Sequence, residues 1–387
     1  MLHDNQHERQ SPINPVTGAD PEAAGAPEPG IALCLSGGGY RAMLFHAGAI
    51  WRLSELGFLP KLNRVSSVSG GSIIAAQLGL RWSRLGFDAN GVASNLVAEV
   101  IDPIRALASK TIDEGAIIGG LLMPGSISGR VADAYRKHLY GDATLQDLPP
   151  DPRFVINATN VQTGALFRFS RPYIADFRLG TIKNPTLDLA LAVAASSAFP
   201  PVLSPVRLEF DASAWTTSGG EDLHREPYLT DVVLSDGGVY DNLGIETAWK
   251  RYDTILVSNG GGKMAPQEEP KSDWARHAIR INEIIDNQVR SLRARQVIGA
   301  FEAKQRKGTY WGIRTDIADY QLATAMPCPL ARTTELAETK TRLQRMDAGR
   351  QERLINWGYA VCDAGMRKHV VSGAAAPAGF PYPAAGV

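Results

Sequence analysis

Val65-Ser66-Ser67-Val68-Ser69-Gly70-Gly71-Ser72-Ile73-Ile74 sets a short β-branched run directly against two glycines and a small-residue stretch that reads as a helix. Strand, sharp corner and helix form the unit from which a parallel sheet with helices on its faces is built. The serine at the corner, Ser69, has two readings. It is a helix N-cap, a common use of serine, or it is a nucleophile. Small neighbours let a chain turn sharply enough to expose a serine oxygen, and the following helix N-terminus favours developing negative charge there. The usual spacing of such a nucleophile elbow is Gly-x-Ser-x-Gly; here Ser67 stands in the first glycine's place.

The same unit recurs on either side. Upstream, residues 31–35 form an apolar strand, followed by Ser36-Gly37-Gly38-Gly39-Tyr40-Arg41 and a helix over 42–56 that Gly57 ends. Downstream, helices are predicted over 70–82, 91–109 and 128–139, and a hairpin over 154–159 and 166–170 about a Thr-Gly turn. A small-residue helix over 186–195 precedes strands at 232–234 and 254–258. A long basic helix at 272–306 and a helical stretch at 333–369 close the chain. Alternating strands and helices predict an α/β fold with a largely parallel sheet. Residues 1–28 and 372–387, rich in Pro, Ala and Gly without apolar periodicity, read as disordered ends. A single catalytic domain is predicted between them, over 29–371.

Bulk composition narrows the function. The 387 residues carry 40 Lys and Arg against 40 Asp and Glu, so no global field draws the protein to nucleic acid. Three cysteines without Cys-x-x-Cys spacing suit neither a disulfide framework nor a zinc site. The polar N-terminus lacks the apolar core of a signal peptide, and no apolar run reaches the ~18 residues a membrane span needs. A cytoplasmic protein, at most peripheral at a membrane, is the expectation.

Three glycines in a row present consecutive amides as an anion-binding nest, suited to a tetrahedral oxyanion. A dinucleotide fingerprint fits poorly, because no acidic residue ends a strand some 20 residues on; a structural turn is the other alternative. Arg41, two residues past the glycines, carries a planar fork suited to phosphate. None of the seven histidines sits in a loop that suggests a base, and His46, inside the first helix, reads as a packed core residue. In "VVLSDGGVYDNLGIE" an apolar strand ends at Asp236 beside Gly237 and Gly238. Such an aspartate either caps a turn or accepts a serine proton with no histidine between.

In their order, SGGGYR, SVSGG and SDGG resemble the motifs of the patatin-like phospholipases, with further similarity to the cytosolic phospholipase A branch in "SGGGYRAM" and "DGGVYDNLG". "FVINATNVQTGALFRFS", with Asn160 where the family has aspartate, and "LALAVAASSAFPPVLSPV" agree. The resemblance covers residues 31–259, with 271–371 as a helical extension. It implies a three-layer α/β/α fold with a central mostly parallel sheet. It implies a serine lipid acyl hydrolase that needs no metal or other cofactor. Ser69 would be the nucleophile and Asp236 its base. Amides of Gly37, Gly38 and Gly39, helped by Gly70, would form the oxyanion hole, and Arg41 would meet the substrate phosphate. The substrate would be a phospholipid or other lipid ester met at a membrane surface. A general esterase or thioesterase, and a regulatory protein without catalysis, are the alternatives. The apolar stretch at 116–125 reads as a lid or as a buried connector, and the basic stretch at 276–307 as a headgroup contact or a solvated face.

Overall fold

A computed structural model describes residues 27–112 and 127–387. In chain order its first half contains β1 (Glu28–Leu35), α1 (Gly39–Glu55), β2 (Arg64–Val68), α2 (Gly70–Leu80), α3 (Asp102–Ala108), α4 (Ile127–Tyr135), β3 (Arg153–Asn160), β4 (Leu166–Phe169), β5 (Tyr173–Asp176) and β6 (Gly180–Lys183). Then follow α5 (Leu189–Ser196), β7 (Val206–Glu209), β8 (Trp215–Thr216), β9 (Asp231–Asp236), α6 (Gly238–Asp241), α7 (Glu246–Trp249), β10 (Tyr252–Asn259), α8 (Trp274–Glu302), β11 (Lys307–Gly312), α9 (Leu330–Ala337) and α10 (Ala348–His369).

The sheet runs β11-β10-β1-β2-β3 in parallel and continues as the antiparallel series β4-β5-β6-β8. Every residue of β2, and β1 from Ala32 to Leu35, is buried. This is why these strands read as continuous apolar or small-residue runs rather than alternating ones. The mixed sheet, mostly parallel in its core and flanked by helices, is the predicted α/β/α architecture. The antiparallel strands beyond β4 were not anticipated, because strands of four residues or fewer carry too short a pattern.

β3 holds the arrangement together. On one side it pairs with β4. On the other, its first part pairs in parallel with β2, ending at Val68 opposite Asn157. Its last part pairs antiparallel with β9, beginning at Asp236 opposite Ala158. β2 and β9 therefore meet end to end in one slot beside β3.

Helix α1 is buried from Gly39 to Ile50 because it is covered on its outer side by α10. The two backbones nearly touch: a Cβ at Gly48 would lie 1.9 Å from the Ile355 carbonyl oxygen, and one at Gly358 1.8 Å from that of Phe45. The C-terminal helical region is thus a wall of the main core rather than an appendage. The predicted helix over 333–369 is two helices, α9 and α10, split by an irregular stretch at 338–347 that Leu343 and Met346 bury into the core. The basic helix is present as α8, anchored by Val297 and Ala300. The stretch at 91–109 is helical only from 97, as a π turn leading into α3.

Residues 372–387, predicted disordered, are packed instead. Asn356 Nδ2 donates to the carbonyls of Tyr382 (2.8 Å) and Gly386 (2.6 Å) and its Oδ1 accepts from the Tyr382 amide (3.0 Å). The Tyr382 ring sits 5.9 Å from Trp51, edge on, with the Arg105 guanidinium 4.5 Å from its centroid. Buried hydrogen-bond partners and aromatic area overcame a composition that suggests disorder. At the other end, Glu28 is already in β1; residues 1–26 of the predicted disordered lead, and the apolar stretch 116–125, lie outside the described residues. Among the described residues no helix is long and apolar enough to cross a membrane.

Removing residues after Val371 exposes Trp51 and leaves Asn356 without its partners. The truncated protein is expected to melt a few degrees below the full chain, since each of the ~1 kcal/mol hydrogen bonds lost lowers the midpoint of a chain this long by about 1–2 °C. An unchanged melting temperature would show the tail to be an ornament.

Candidate functional site

The corner between β2 and α2 forces Ser69 to φ 52°, ψ −119°. A non-glycine residue there is strained, by roughly 1–3 kcal/mol, and persists only where its surroundings over-determine it. They do so here. The Ser69 amide donates to Ser196 Oγ at 3.0 Å, Ser196 donates to the Asn157 carbonyl at 2.7 Å, and Ser72 Oγ lies 2.8 Å from Ser196 Oγ. The Ser69 carbonyl accepts from the amides of Ser72 and Ile73, the start of α2. Ser67, in place of the usual glycine, fits the buried strand and accepts a hydrogen bond from Ser72 Oγ at 3.0 Å. Gly70 is indispensable on packing grounds: a Cβ there would lie 2.2 Å from the Gly39 carbonyl oxygen.

β9 delivers Asp236 to this corner. Its amide donates to the Ala198 carbonyl and its own carbonyl accepts from Thr159 Oγ1 at 2.8 Å, so the backbone is fixed on both sides. Carboxylate Oδ1 accepts from the Gly238 amide at 2.7 Å. Oδ2 is buried without a partner at full hydrogen-bond geometry. The Ser69 hydroxyl lies near enough to stabilise the ionised carboxylate, in an approach looser than a formed hydrogen bond. Burial dominates: it pushes the Asp236 pKa up to about 7, against the downward pull of the Gly238 amide and Ser69, with Asp286 on α8 adding to the rise. A carboxyl so placed is a far better base than an ordinary aspartate.

The glycine turn stands on the other side of Ser69. Gly38 has φ 143° and Gly39 φ 59°. The Gly37 amide, expected in the oxyanion hole, donates to the Asn242 carbonyl at 3.0 Å. Among the described residues the amides of Gly38, Gly39 and Gly70 have no acceptor. Three free amides therefore surround the corner, and Gly37 acts as the hinge that carries two of them.

Arg41 does not stand free, as a phosphate ligand would. It is 3% exposed, with Nε donating to the Gly260 carbonyl at 3.1 Å and Nη1 to that of Thr339. Only Nη2 is without a partner, on the side facing Gly38 and Gly262. Burial, with the repulsion of Arg314 and Arg290, lowers its pKa to about 10, so it remains charged at neutral pH.

His46 was read as core and is buried, yet it serves the site. Its Nε2 lies 2.9 Å from the Ser36 carbonyl and its Nδ1 2.8 Å from Ser258 Oγ, which also accepts from Trp311 Nε1 at 3.0 Å. A carbonyl only accepts, so Nε2 carries the proton and Nδ1 accepts from Ser258. Burial lowers the His46 pKa to about 4, keeping the ring neutral. The chain from Trp311 through Ser258 and His46 ends on the residue just before Gly37 and fixes where the glycine turn begins. Three-dimensional neighbours decide this role, and no spacing in the sequence announces it. Among the described residues no cluster of three His, Cys, Asp or Glu could hold a metal ion.

At Gly38 a Cβ would lie 2.9 Å from both Ala42 Cβ and the Gly260 carbonyl oxygen, in a backbone conformation side chains avoid. Gly38→Val is expected to lower turnover by about 10²–10³, since each oxyanion donor is worth about 3–4 kcal/mol. A Gly38→Val protein near wild-type turnover would exclude these amides from the chemistry. His46→Gln, which keeps one donor and one acceptor, is expected to retain more turnover than His46→Leu while KM stays put; equal turnover in both variants would reduce His46 to packing.

A family model described as patatin-like phospholipase matches residues 33–249. Among curated proteins no sequence matches significantly. Among solved structures, human GIVD cytosolic phospholipase A2 is similar over 88% of this chain and 59% of its own, at 13% identity and TM-score 0.51. Its complex with methyl gamma-linolenyl fluorophosphonate gives TM-score 0.52 at 15% identity, over 88% of this chain and 57% of that one. The chain thus spans less than two thirds of the length of these structures. Their likeness extends to the fold. The sequence match covers more than half of the chain and includes all three glycine-flanked corners, and it is on this ground that the chain belongs to the patatin-like phospholipase family.

Proposed function

We propose that the protein is a serine lipid acyl hydrolase of phospholipase A or lysophospholipase type, cleaving fatty-acyl esters through Ser69 and Asp236. Family membership supports lipid acyl hydrolysis in general. The observation that carries the finer reading is the approach of a strained Ser69 hydroxyl to a buried carboxylate of raised pKa.

The chemistry runs in two halves. As Ser69 Oγ bonds to the acyl carbon, Asp236 Oδ2 takes the hydroxyl proton and the carbonyl oxygen becomes an oxyanion. The amides of Gly38, Gly39 and Gly70 receive that charge. Collapse breaks the bond to the leaving alkoxide, which leaves with the proton from Asp236, and an acyl-serine remains. Water then attacks the acyl-serine, giving its proton to Asp236, and the second tetrahedral species releases the fatty acid and restores the serine hydroxyl. Buried amides aimed at the developing charge contribute more than base strength does. Arg41, buried down to its unpartnered Nη2, supports the glycine turn from beneath, and the substrate is a fatty-acyl ester of a phospholipid. Such a substrate is met at a membrane surface, with the enzyme in the cytoplasm as a peripheral visitor.

Mass spectrometry of fatty acids released from a mixed phospholipid pool is the direct test. Wild type is expected to release them and Asp236→Asn and Ser69→Ala are not. A fluorophosphonate probe is expected to label wild type and spare Ser69→Ala. Hydrolysis of short nitrophenyl esters with no release from phospholipid would replace this reading with a general esterase, and no labelling at all would replace it with a non-catalytic protein.

The base works ionised. kcat/KM is therefore expected to fall about tenfold per pH unit below ~7, the acid limb reporting Asp236. The same shift has a stability sign. The folded-state pKa lies above the unfolded ~3.9, so the native state binds the proton more tightly and stability drops as pH rises from ~4 to ~7. Asp236→Asn escapes that penalty and is expected to be on the order of 1–3 kcal/mol more stable than wild type at pH 8, with the gain fading toward pH 4. Denaturant melts at both pH values check it; a gain independent of pH would assign it to another cause.

A further inference from the structure

The irregular stretch at 338–347 stands on two footings. One is the glycine turn. The Arg342 carbonyl accepts from the Tyr40 amide at 3.1 Å, and it lies 2.7 Å from where a Cβ on Gly39 would be. The Thr339 carbonyl accepts from Arg41 Nη1. The other footing is the end of α3. Ile112 donates to the Leu343 carbonyl and Met346 to that of Ala108, both at 2.8 Å, and the Arg345 amide donates to Thr111 Oγ1 at 3.0 Å. The strap is thus bolted to the turn that carries two of the free amides.

Its outer side forms a cavity of about 400 Å³, partly open to solvent, whose walls include Lys340, Arg342, Arg345 and Arg350. Among the described residues none of these four cations has a carboxylate within ion-pair distance. Of the three carboxylates also present, Glu335 is held by Arg353 at 3.3 Å, Asp347 spends Oδ1 on the Arg350 amide at 2.9 Å, and Glu338 alone is left to offset one of the four positive charges. The cavity also receives the N-terminus of the 22-residue α10, whose first-turn amides favour anions. Lys340, Arg342 and Arg345 on one short strap and Arg350 in the first turn of α10 have no carboxylate partner among the described residues; they repel one another, and an anion relieves that repulsion. The volume exceeds what one phosphate fills and suits a compact ligand with several charged groups.

We propose that this cavity binds a molecule bearing two or more phosphate groups, free or as a lipid headgroup, and that occupancy holds the strap, and through Arg342 and Tyr40 the glycine turn, in working position. The coupling rests on the hydrolytic reading above; the site does not, and the two are tested apart.

Calorimetric titration of inorganic tripolyphosphate into Ser69→Ala protein is expected to show one site, weakened about tenfold or more by Lys340→Ala/Arg345→Ala. Sedimentation with vesicles of phosphatidic acid in phosphatidylcholine, against phosphatidylcholine alone, asks whether a lipid headgroup is the source; the same double variant is expected to abolish any difference. Absence of binding in both arms at ~1 mM phosphate groups, or binding that the double variant leaves intact, overturns the site. For the coupling, wild-type turnover of a soluble short-chain ester is expected to rise several-fold at saturating tripolyphosphate and not in the double variant, whose fold is checked by its melting temperature. A bound ligand that leaves turnover unchanged overturns the coupling while the site stands.

Discussion

The register of β3 is the constraint on which the rest depends. Consecutive residues of that strand, Asn157 and Ala158, stand opposite Val68 at the end of one strand and Asp236 at the start of the pairing with another. Two chain segments far apart in sequence are thereby stopped nose to nose, one about to present a serine and the other ending in an aspartate. A slip of a single residue in either pairing would turn the side chains to the opposite face of the sheet. Buried strands of this kind resist such slips, because every alternative register takes apolar side chains out of the core.

Around that junction the protein accumulates unfavourable local features and offsets each from elsewhere. Ser69 sits in a backbone conformation that its type avoids, and a serine network from α2 and α5 holds it there. Asp236 is buried with a single formed hydrogen bond to one of its oxygens, although burial disfavours its charge. The Gly38 and Gly39 amides of the glycine turn lack acceptors among the described residues, which a core would ordinarily not allow. Strain, a poorly satisfied carboxylate and orphan donors at one point are the local features that support the proposed hydrolytic reading.

Much of this was legible in the sequence because the demands are local. A strand that must turn within two residues into a helix needs small residues at the corner, and SGGG, SGG and DGG satisfy that need in three places. Other features were not legible because they are relations between distant segments. Nothing near Gly37 says that its amide is taken by Asn242, and nothing near His46 says that its ring holds the carbonyl of Ser36. Arg41 illustrates the same limit: its spacing suggests a ligand for phosphate, whereas burial hands two of its nitrogens to backbone carbonyls. The tail after Val371 failed in the opposite sense. Its Pro, Ala and Gly content suggests disorder, but Tyr382, clamped by Asn356, Trp51 and Arg105, and the Gly386 and Ala375 carbonyls, held by Asn356 and Arg52, seat it.

The position of the C-terminal helical region gives these pieces a common frame. α10 lies backbone to backbone on α1, and α1 begins at the glycine turn. Anything that shifts α10 or the strap before it acts on a rigid helix whose first turn carries two of the free amides. Contacts as close as those at Gly48 and Gly358 transmit displacement rather than absorb it, since neither backbone has side-chain volume to compress. The region outside the motif-bearing half of the chain therefore packs directly on the helix that leads from the glycine turn, and Arg342, Tyr40 and Gly39 are where it meets the turn itself.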